Sequence, residues 1–426
     1  MIQKNQYLTI AALAVLTGTT FICTPSIAES WTTFRGPTRD GIADSKADPP
    51  IEWSENKNIR FRTELPGEGW STPVLADGRV YMSAAIEIAG GSKKNKLFKL
   101  CLLVVDANSG KLLATHRLFD EMGGPKPHKI HSKNSHASSS AIVDGKRVFV
   151  HFGYQGTCCV DLDGNLIWSN RDLYYKPVHG NGSTPILVDN RLIFTCDGAT
   201  DPKIVALDAD TGKLVWERPR NVDTKKKFAF CTPAMVNVNG KKQVISPAAD
   251  IVMSLAPDTG KVIWKLSYTG YSVVPKPIFY RGNVILSTSF DSPSMLSIDP
   301  RGSGDVTDTH LNWEVDKNAP HTPSMVAVDG LIYSVSDRGI AMCVEADSGD
   351  VVYKKRVGGN FSALPVLAGK RIYYTDEAGK TTVVKIGRDY EVLAENDLGE
   401  RTLASPAIVG NAIFVRTAKA LYRIER

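Results

Sequence analysis

The sequence predicts an all-β fold, an eight-bladed β-propeller of four-stranded blades, and three observations carry the expectation. First, one pattern recurs from Trp70 to the C-terminus. It runs from a polar start ending in proline, through an apolar run and a turn, to a β-branched strand. A strand with a small residue and an Asp follows, then an Asp-x-x-Thr-Gly-Lys-like turn and a last strand carrying an aromatic. Second, copies begin near Ser71, Ser138, Ser183, Thr232, Pro275, Thr322, Ala363 and Ser405, a spacing of about 40–65 residues that suits propeller blades. Third, the apolar runs are short, alternating and bounded by Gly, Asp and Asn, so each unit reads as four antiparallel strands. Four strands cannot bury both faces alone, and stacking blades in a ring solves this with few open edges.

Taken in order, residues 1–28 read as a signal peptide. Lys4 gives a weak positive start, Leu8 to Cys23 form an apolar stretch, and Ser26-Ile27-Ala28 fits a small-x-small cleavage site before Glu29. The stretch is short and broken by Thr17-Gly18-Thr19-Thr20, which disfavours a bilayer span; a lipid anchor at Cys23 is the other reading. No later segment is apolar enough to cross a membrane as a helix. The expected product is an exported, periplasmic or otherwise extracytoplasmic protein, soluble after cleavage, forming one propeller domain over 29–426. Residues 29–57 are an entry segment and 71–426 the blades. The eighth copy, from Ser405, supplies only three strands, Ala407–Val409, Ala412–Arg416 and Leu421–Ile424. The segment 58–65 (Asn58 to Leu65) has the character of the missing outer strand, so it is expected to complete the last blade and close the ring.

The third copy shows the pattern in full: Ser183-Thr184-Pro185, Ile186–Val188, Leu192–Thr195, Ile204–Asp208, then Ala209-Asp210-Thr211-Gly212-Lys213 and Leu214-Val215-Trp216. Trp168, Trp216, Trp264 and Trp313 hold equivalent positions, with Tyr353 in the sixth copy and Phe61 in the closing strand. A flat side chain recurring there reads as inter-blade core, burying on the order of 200 Å².

Composition is that of a folded chain, 42% apolar and 23% charged. The net charge of +6 falls to +5 without the leader, which holds one Lys and no acid. The basic runs, 93–96, 225–227 and 241–242, are short and scattered. They read as solvated loops, with no stripe for nucleic acid.

The segments Ala206 to Trp216 and Leu255 to Trp264 resemble the signature of the pyrroloquinoline-quinone (PQQ) repeat, and the resemblance covers nearly the whole expected domain. The entry motif Trp31-Thr32-Thr33-Phe34-Arg35-Gly36-Pro37 with Asp40-Gly41 is similar to that of exported planctomycete-type PQQ-like propellers, as are Lys133-Asn134-Ser135 and Glu395-Asn396-Asp397-Leu398-Gly399-Glu400. The repeat is shared by quinoprotein alcohol dehydrogenases and by outer-membrane assembly factor B, a scaffold propeller. Membership of the first class implies a vicinal disulfide in some members, bound PQQ, and calcium held by carboxylates and an amide beside a catalytic Asp. Those ligands cannot be placed in this sequence, so no catalytic residue is assigned, and neither PQQ nor calcium is the expected cofactor.

Cys158-Cys159 is the feature that favours an enzyme. Yet Cys159 aligns with Ala206, Val104 and Cys343, a slot for a small residue on an inner strand where Cys acts as a compact hydrophobe. A vicinal disulfide is the alternative. The six cysteines after the leader lie on or beside strands of different blades, which suits scattered buried thiols.

The candidate site is the ring of loops that enter the innermost strands and line the mouth of the central channel. Trp70, Lys133, Asn134, His136, His179, Asn181, Phe230, Tyr271, His321, Phe361 and Arg401 occupy those entries, a set suited to a small polar ligand. His128, His131 and His136 are a weak metal candidate. The Asp-rich turns at 208–210, 161–164 and 347–349 are turn chemistry and lack an EF-hand's ligand count. No nucleophile elbow, phosphate loop, zinc-protease motif or dinucleotide fingerprint occurs. The sequence therefore reads as a non-catalytic binding or assembly scaffold, partnered by another cell-envelope protein or a small polar ligand. A reduced PQQ-dependent dehydrogenase and a carbohydrate or polar-ligand binder are the alternatives.

Overall fold

In a computed structural model, residues 30–92, 95–120, 130–288 and 290–426 are described; the expected leader, Cys23 and His128 lie outside them. Eight antiparallel sheets form the eight blades of a ring. Blade 3 is representative: Ile186–Val188, Arg191–Cys196, Lys203–Asp208 and Leu214–Pro219 pair in sequence order from the channel outwards. Blade 4 adds a short parallel strand, Gly304–Asp305, against Val262–Ser267. Apolar clusters fill the spaces between neighbouring blades, so each blade's core is shared with the next.

The repeat signature is a clasp from one blade to the next. A glycine at positive φ ends each Asp-x-x-Thr-Gly turn, and the aromatic of the preceding blade lies flat on it. A Cβ on Gly212 would sit 2.3 Å from the Trp168 ring, one on Gly260 2.5 Å from Trp216, and one on Gly349 2.8 Å from Trp313. Each indole also donates to a carbonyl of the same turn: Trp168 to Ala209 at 2.9 Å, Trp216 to Pro257 at 2.8 Å and Trp313 to Ala346 at 3.1 Å. Within a blade the small-residue slot faces the aromatic, pairing Cys159 with Trp168, Ala206 with Trp216 and Cys343 with Tyr353. Trp264 departs from the clasp and donates to Gln243 Oε1 at 3.1 Å, because Gly304–Asp305 is paired where the next blade's turn would lie.

A Ser or Thr before six of the eight inner strands builds a second, interrupted ring. The backbone N–H of Thr72 donates to Ser140 Oγ, Ser140 to Thr184 Oγ1, and Thr184 to Thr232 Oγ1. Lys276 donates to Ser324 and Leu364 to Ser405 in the same way. Each such bond contributes about 1 kcal/mol. Lys276 and Leu364 carry no hydroxyl, so the belt is interrupted where a blade would have to donate to them.

Closure follows the sequence expectation. Ile59–Glu64 pairs antiparallel with Ala420–Ile424 and completes blade 8. Phe61 plays the clasp role there, since a Cβ on Gly110 of blade 1 would lie 2.6 Å from its ring. Arg416, fully buried, secures the seam by donating to Ser71 Oγ at 2.6 Å and to the Ser83 carbonyl at 2.7 Å.

The entry segment has a role that sequence reading did not assign. Trp31 pairs in both directions with Leu75 of blade 1, Thr32 accepts from Val143 of blade 2, and Gly41 and Ala43 bond Leu367 of blade 7. Between them Arg35 reaches the Met325 carbonyl of blade 6, and Arg39 accepts from Lys276 of blade 5. Residues 31–43 thus cross the central channel below the candidate loops and cover inner-strand edges that would otherwise be unpaired. Gly36 (φ 72) permits this because a Cβ there would meet the Trp31 ring at 2.6 Å. Asn396 anchors the following stretch, accepting from Trp53 N at 2.7 Å and donating to the Ile51 carbonyl at 2.9 Å.

Candidate functional site

A cavity of about 450 Å³ opens at the loop face of the channel. Of the residues expected there, Trp70, Lys133, Asn134, His179, Phe230 and Tyr271 line it, and so does His131. Its aromatic wall is a chain of ring contacts: His131 to His179 at 5.3 Å, His179 to Phe228 at 5.7 Å, and Phe228 to Tyr271 at 5.5 Å and Phe230 at 5.8 Å. Lys226 stands 3.9 Å over the Tyr271 ring and donates to its hydroxyl at 2.6 Å. The floor combines belt hydroxyls, Thr232, Ser324 and Ser405, with Phe34 from the entry segment.

The segment from His131 to Asn134 arches over the mouth. Asn134 Nδ2 donates to the His179 carbonyl at 3.0 Å, which fixes the segment to blade 3's entry. Lys133 pairs with Glu377 of blade 7 at 2.7 Å, and Arg401 donates to the Ser132 carbonyl at 2.7 Å while lying 5.5 Å over the Trp70 ring. The arch is therefore latched at both sides, and Arg401 sits on the rim above Trp70.

Five expected residues do not line the cavity: Arg401 stops at the rim, and four others lie away from it. Phe361 is 1% exposed and packs in the core between blades 6 and 7; its aromatic character serves packing. His136 turns back onto Phe98, centroids 4.6 Å apart, and burial lowers its pKa to about 4. Asn181 is held by the Tyr175 hydroxyl at 2.8 Å, beside Gly153. His321 faces Phe290 at 5.5 Å, its backbone N–H bound by Asp337 at 2.8 Å. His131 and His136 consequently point to different environments and do not converge on one ion. Among the described residues no group of three or more His, Cys, Asp or Glu side chains is placed to hold a metal.

Sequence reading missed Phe34, Lys226, Phe228 and Phe290. Lys226 was assigned with its neighbours to a solvated run, but alternation puts Lys226, Phe228 and Phe230 on one side of an extended loop. That Lys-x-Phe-x-Phe spacing was the available signal.

The cavity lining contains no carboxylate among the described residues. A calcium-assisted quinone centre needs carboxylate ligands and an Asp base, so these residues do not fit one. Cys158 and Cys159 do not fit it either. They alternate across their strand, Cys158 into the core between blades 1 and 2 and Cys159 into that between blades 2 and 3. All six described cysteines are free and buried. Burial pushes the Cys159 thiol up to about 11 and holds Cys158 higher still, the reverse of a reactive pair.

Clasp, belt and closing strand together define an eight-bladed propeller of PQQ-type repeats. The family described as outer membrane protein assembly factor BamB matches residues 101–355 and 297–422, and the chain belongs to that family. It is 22% identical over 271 residues to the outer membrane protein assembly factor BamB of Yersinia pestis, covering 51% of this chain and 67% of that protein. Among solved structures, BamB from Moraxella catarrhalis shares the fold with a TM-score of 0.54 at 11% identity, over 81% of this chain and 99% of that one. A europium-containing methanol dehydrogenase does so with a TM-score of 0.63 at 12% identity, over 92% and 90%. Identities this low establish a common architecture for both binders and enzymes.

Proposed function

We propose that this protein is a non-catalytic binding propeller of the cell envelope, exported by its N-terminal segment, that engages a partner through the cavity at the loop face. The observation that carries the reading is the cavity's chemistry: aromatic walls, Lys133, Lys226 and two imidazoles, and no carboxylate among the described residues. Such a surface offers stacking area and positive charge, which recruit a ligand, and lacks the carboxylates that a calcium-assisted quinone centre requires. Family membership supports it, since the matched family is described by assembly at the outer membrane. No helix of the described residues is long and apolar enough to span a bilayer, in keeping with a protein that works beside a membrane.

Two measurements test it. Purified protein incubated with PQQ and Ca²⁺ should show neither saturable binding by absorbance nor dye-linked alcohol oxidation; turnover would overturn the reading. Affinity capture of cell-envelope proteins should retain a discrete partner on the unaltered protein. Trp70→Ala and Tyr271→Ala should each weaken it tenfold or more, as buried aromatic anchors do. A partner set unchanged by both substitutions would remove the cavity from the mechanism.

A further inference from the structure

Beneath the cavity floor lies a second, smaller void of about 20 Å³, separated from the first by Phe34 and Thr232, which line both. Its walls include Arg35, Arg39 and Lys276. Arg35 is 1% exposed. Its Nη2 donates to the carbonyls of Asp40 and Met325. Its Nε and Nη1 are buried with no protein acceptor. Lys276 is 5% exposed and gives two of its protons to the Arg39 and Pro277 carbonyls, at 2.9 and 3.4 Å. Among the described residues Asp40 is the one carboxylate beside this group, 3.7 Å from Lys276 Nζ and partly solvated. Two buried cations, Arg35 and Lys276, and the half-buried Arg39 therefore face a single carboxylate around this small void.

Buried charge without a counter-charge costs several kcal/mol per ion, and unpaired guanidinium N–H groups add to that. The strain registers in the titration of both groups. Burial, and then the other cations, bring Lys276 down to about 8, and burial brings Arg35 down to about 10. The chain is nonetheless shaped to keep the guanidinium in place. At Gly41 (φ 78) a Cβ would sit 2.8 Å from Arg35 Nη2, so the backbone wraps around it as a side chain there could not.

We propose that Arg35 Nε and Nη1 and Lys276 Nζ hold a monoatomic anion of the halide class in this void. The volume is about that of one water position, which admits a halide and is too small for sulfate, phosphate or a carboxylate ligand. A water could accept two hydrogen bonds here but would leave the excess positive charge. The anion ties the entry segment to blades 5 and 6 and so fixes Phe34, the floor of the upper cavity, from below. The site is independent of what the upper cavity binds.

The test uses the purified chain. Melting temperature is followed against sodium chloride, with sodium gluconate and sodium phosphate at matched ionic strength. A saturable rise of about 2 °C or more in chloride, absent in the other two salts, is expected, and Lys276→Met should abolish it. Equal responses in all three salts would overturn the proposal. Should Lys276→Met fail to fold, diffraction from crystals grown in bromide decides. An anomalous peak in contact with Arg35 Nη1 and Lys276 Nζ supports the site, and its absence at full bromide exchange refutes it.

Discussion

His151 carries an imidazole that the fold keeps uncharged. It is 1% exposed, its Nδ1 lies 2.8 Å from Thr157 Oγ1, and its ring packs 4.4 Å from Phe194. Burial lowers its pKa to about 3, and His136 is lowered to about 4 by the same cause. An unfolded imidazole takes up its proton near pH 6.5, so below that pH the unfolded chain binds more protons than the folded one. Stability is therefore full above pH 6.5 and falls as the pH drops towards the folded values. By pH 5 the loss should be on the order of 2 kcal/mol per imidazole. Urea midpoints at pH 7.5 and 5 measure it, and His151→Phe should remove about 2 kcal/mol of the difference between them. An unchanged difference would mean that His151 is protonated in the fold or protected in the unfolded chain. None of this was legible in the sequence, where His151 is one β-strand residue among many.

The blade-to-blade clasp belongs to the scale of the element. Trp216→Ala removes the ring from Gly260 and the bond to Pro257, and should cost about 3–5 kcal/mol by chemical denaturation. Trp216→Phe keeps most of the packing and should cost nearer 1–2 kcal/mol. Similar losses for the two would show that the indole N–H, and not the stacked area, carries the contact. At this scale the sequence was informative. Trp168, Trp216 and Trp313 recur because each must lie on a glycine one repeat further on, and a periodic constraint leaves a periodic trace. The Ser/Thr before most inner strands was visible too, but its partner lies in the next blade, so its role as a belt needed the fold. The cavity was half legible for the same reason. Residues at the blade entries could be counted off, which found Trp70, His179 and Tyr271, whereas side-chain direction within an irregular loop could not, which is why Phe361 and Asn181 were misplaced and Lys226 missed. Phe34 lies outside the repeat altogether, and no periodicity could have brought it to the floor.

For the whole molecule, closure depends on one strand. Ile59–Glu64 supplies the outer strand of blade 8 and places Phe61 on Gly110 of blade 1. Its ladder bonds, together with the half-buried Ile59 and Phe61, should contribute roughly 5 kcal/mol. Deleting 59–65 should lower the melting temperature and expose apolar surface to a hydrophobic dye. A deletion variant that melts like the intact chain would show that Arg416 and the entry segment hold the seam without it.

That arrangement also has a kinetic side. Arg62 and its bonding partner Tyr422 are 360 residues apart in the chain. Bringing two such distant segments together costs on the order of 5 kcal/mol of chain entropy when nothing between them is ordered. Blades that form earlier shorten the effective loop, because they hold the intervening chain in a curved stack. Ring closure is then a late event, following assembly of the middle blades. Until it occurs, the strand at 59–64 and the open edge of blade 8 are unpaired β-edges, each able to pair with another chain. Yield on refolding should therefore fall with protein concentration more steeply than the stability of the finished ring would suggest.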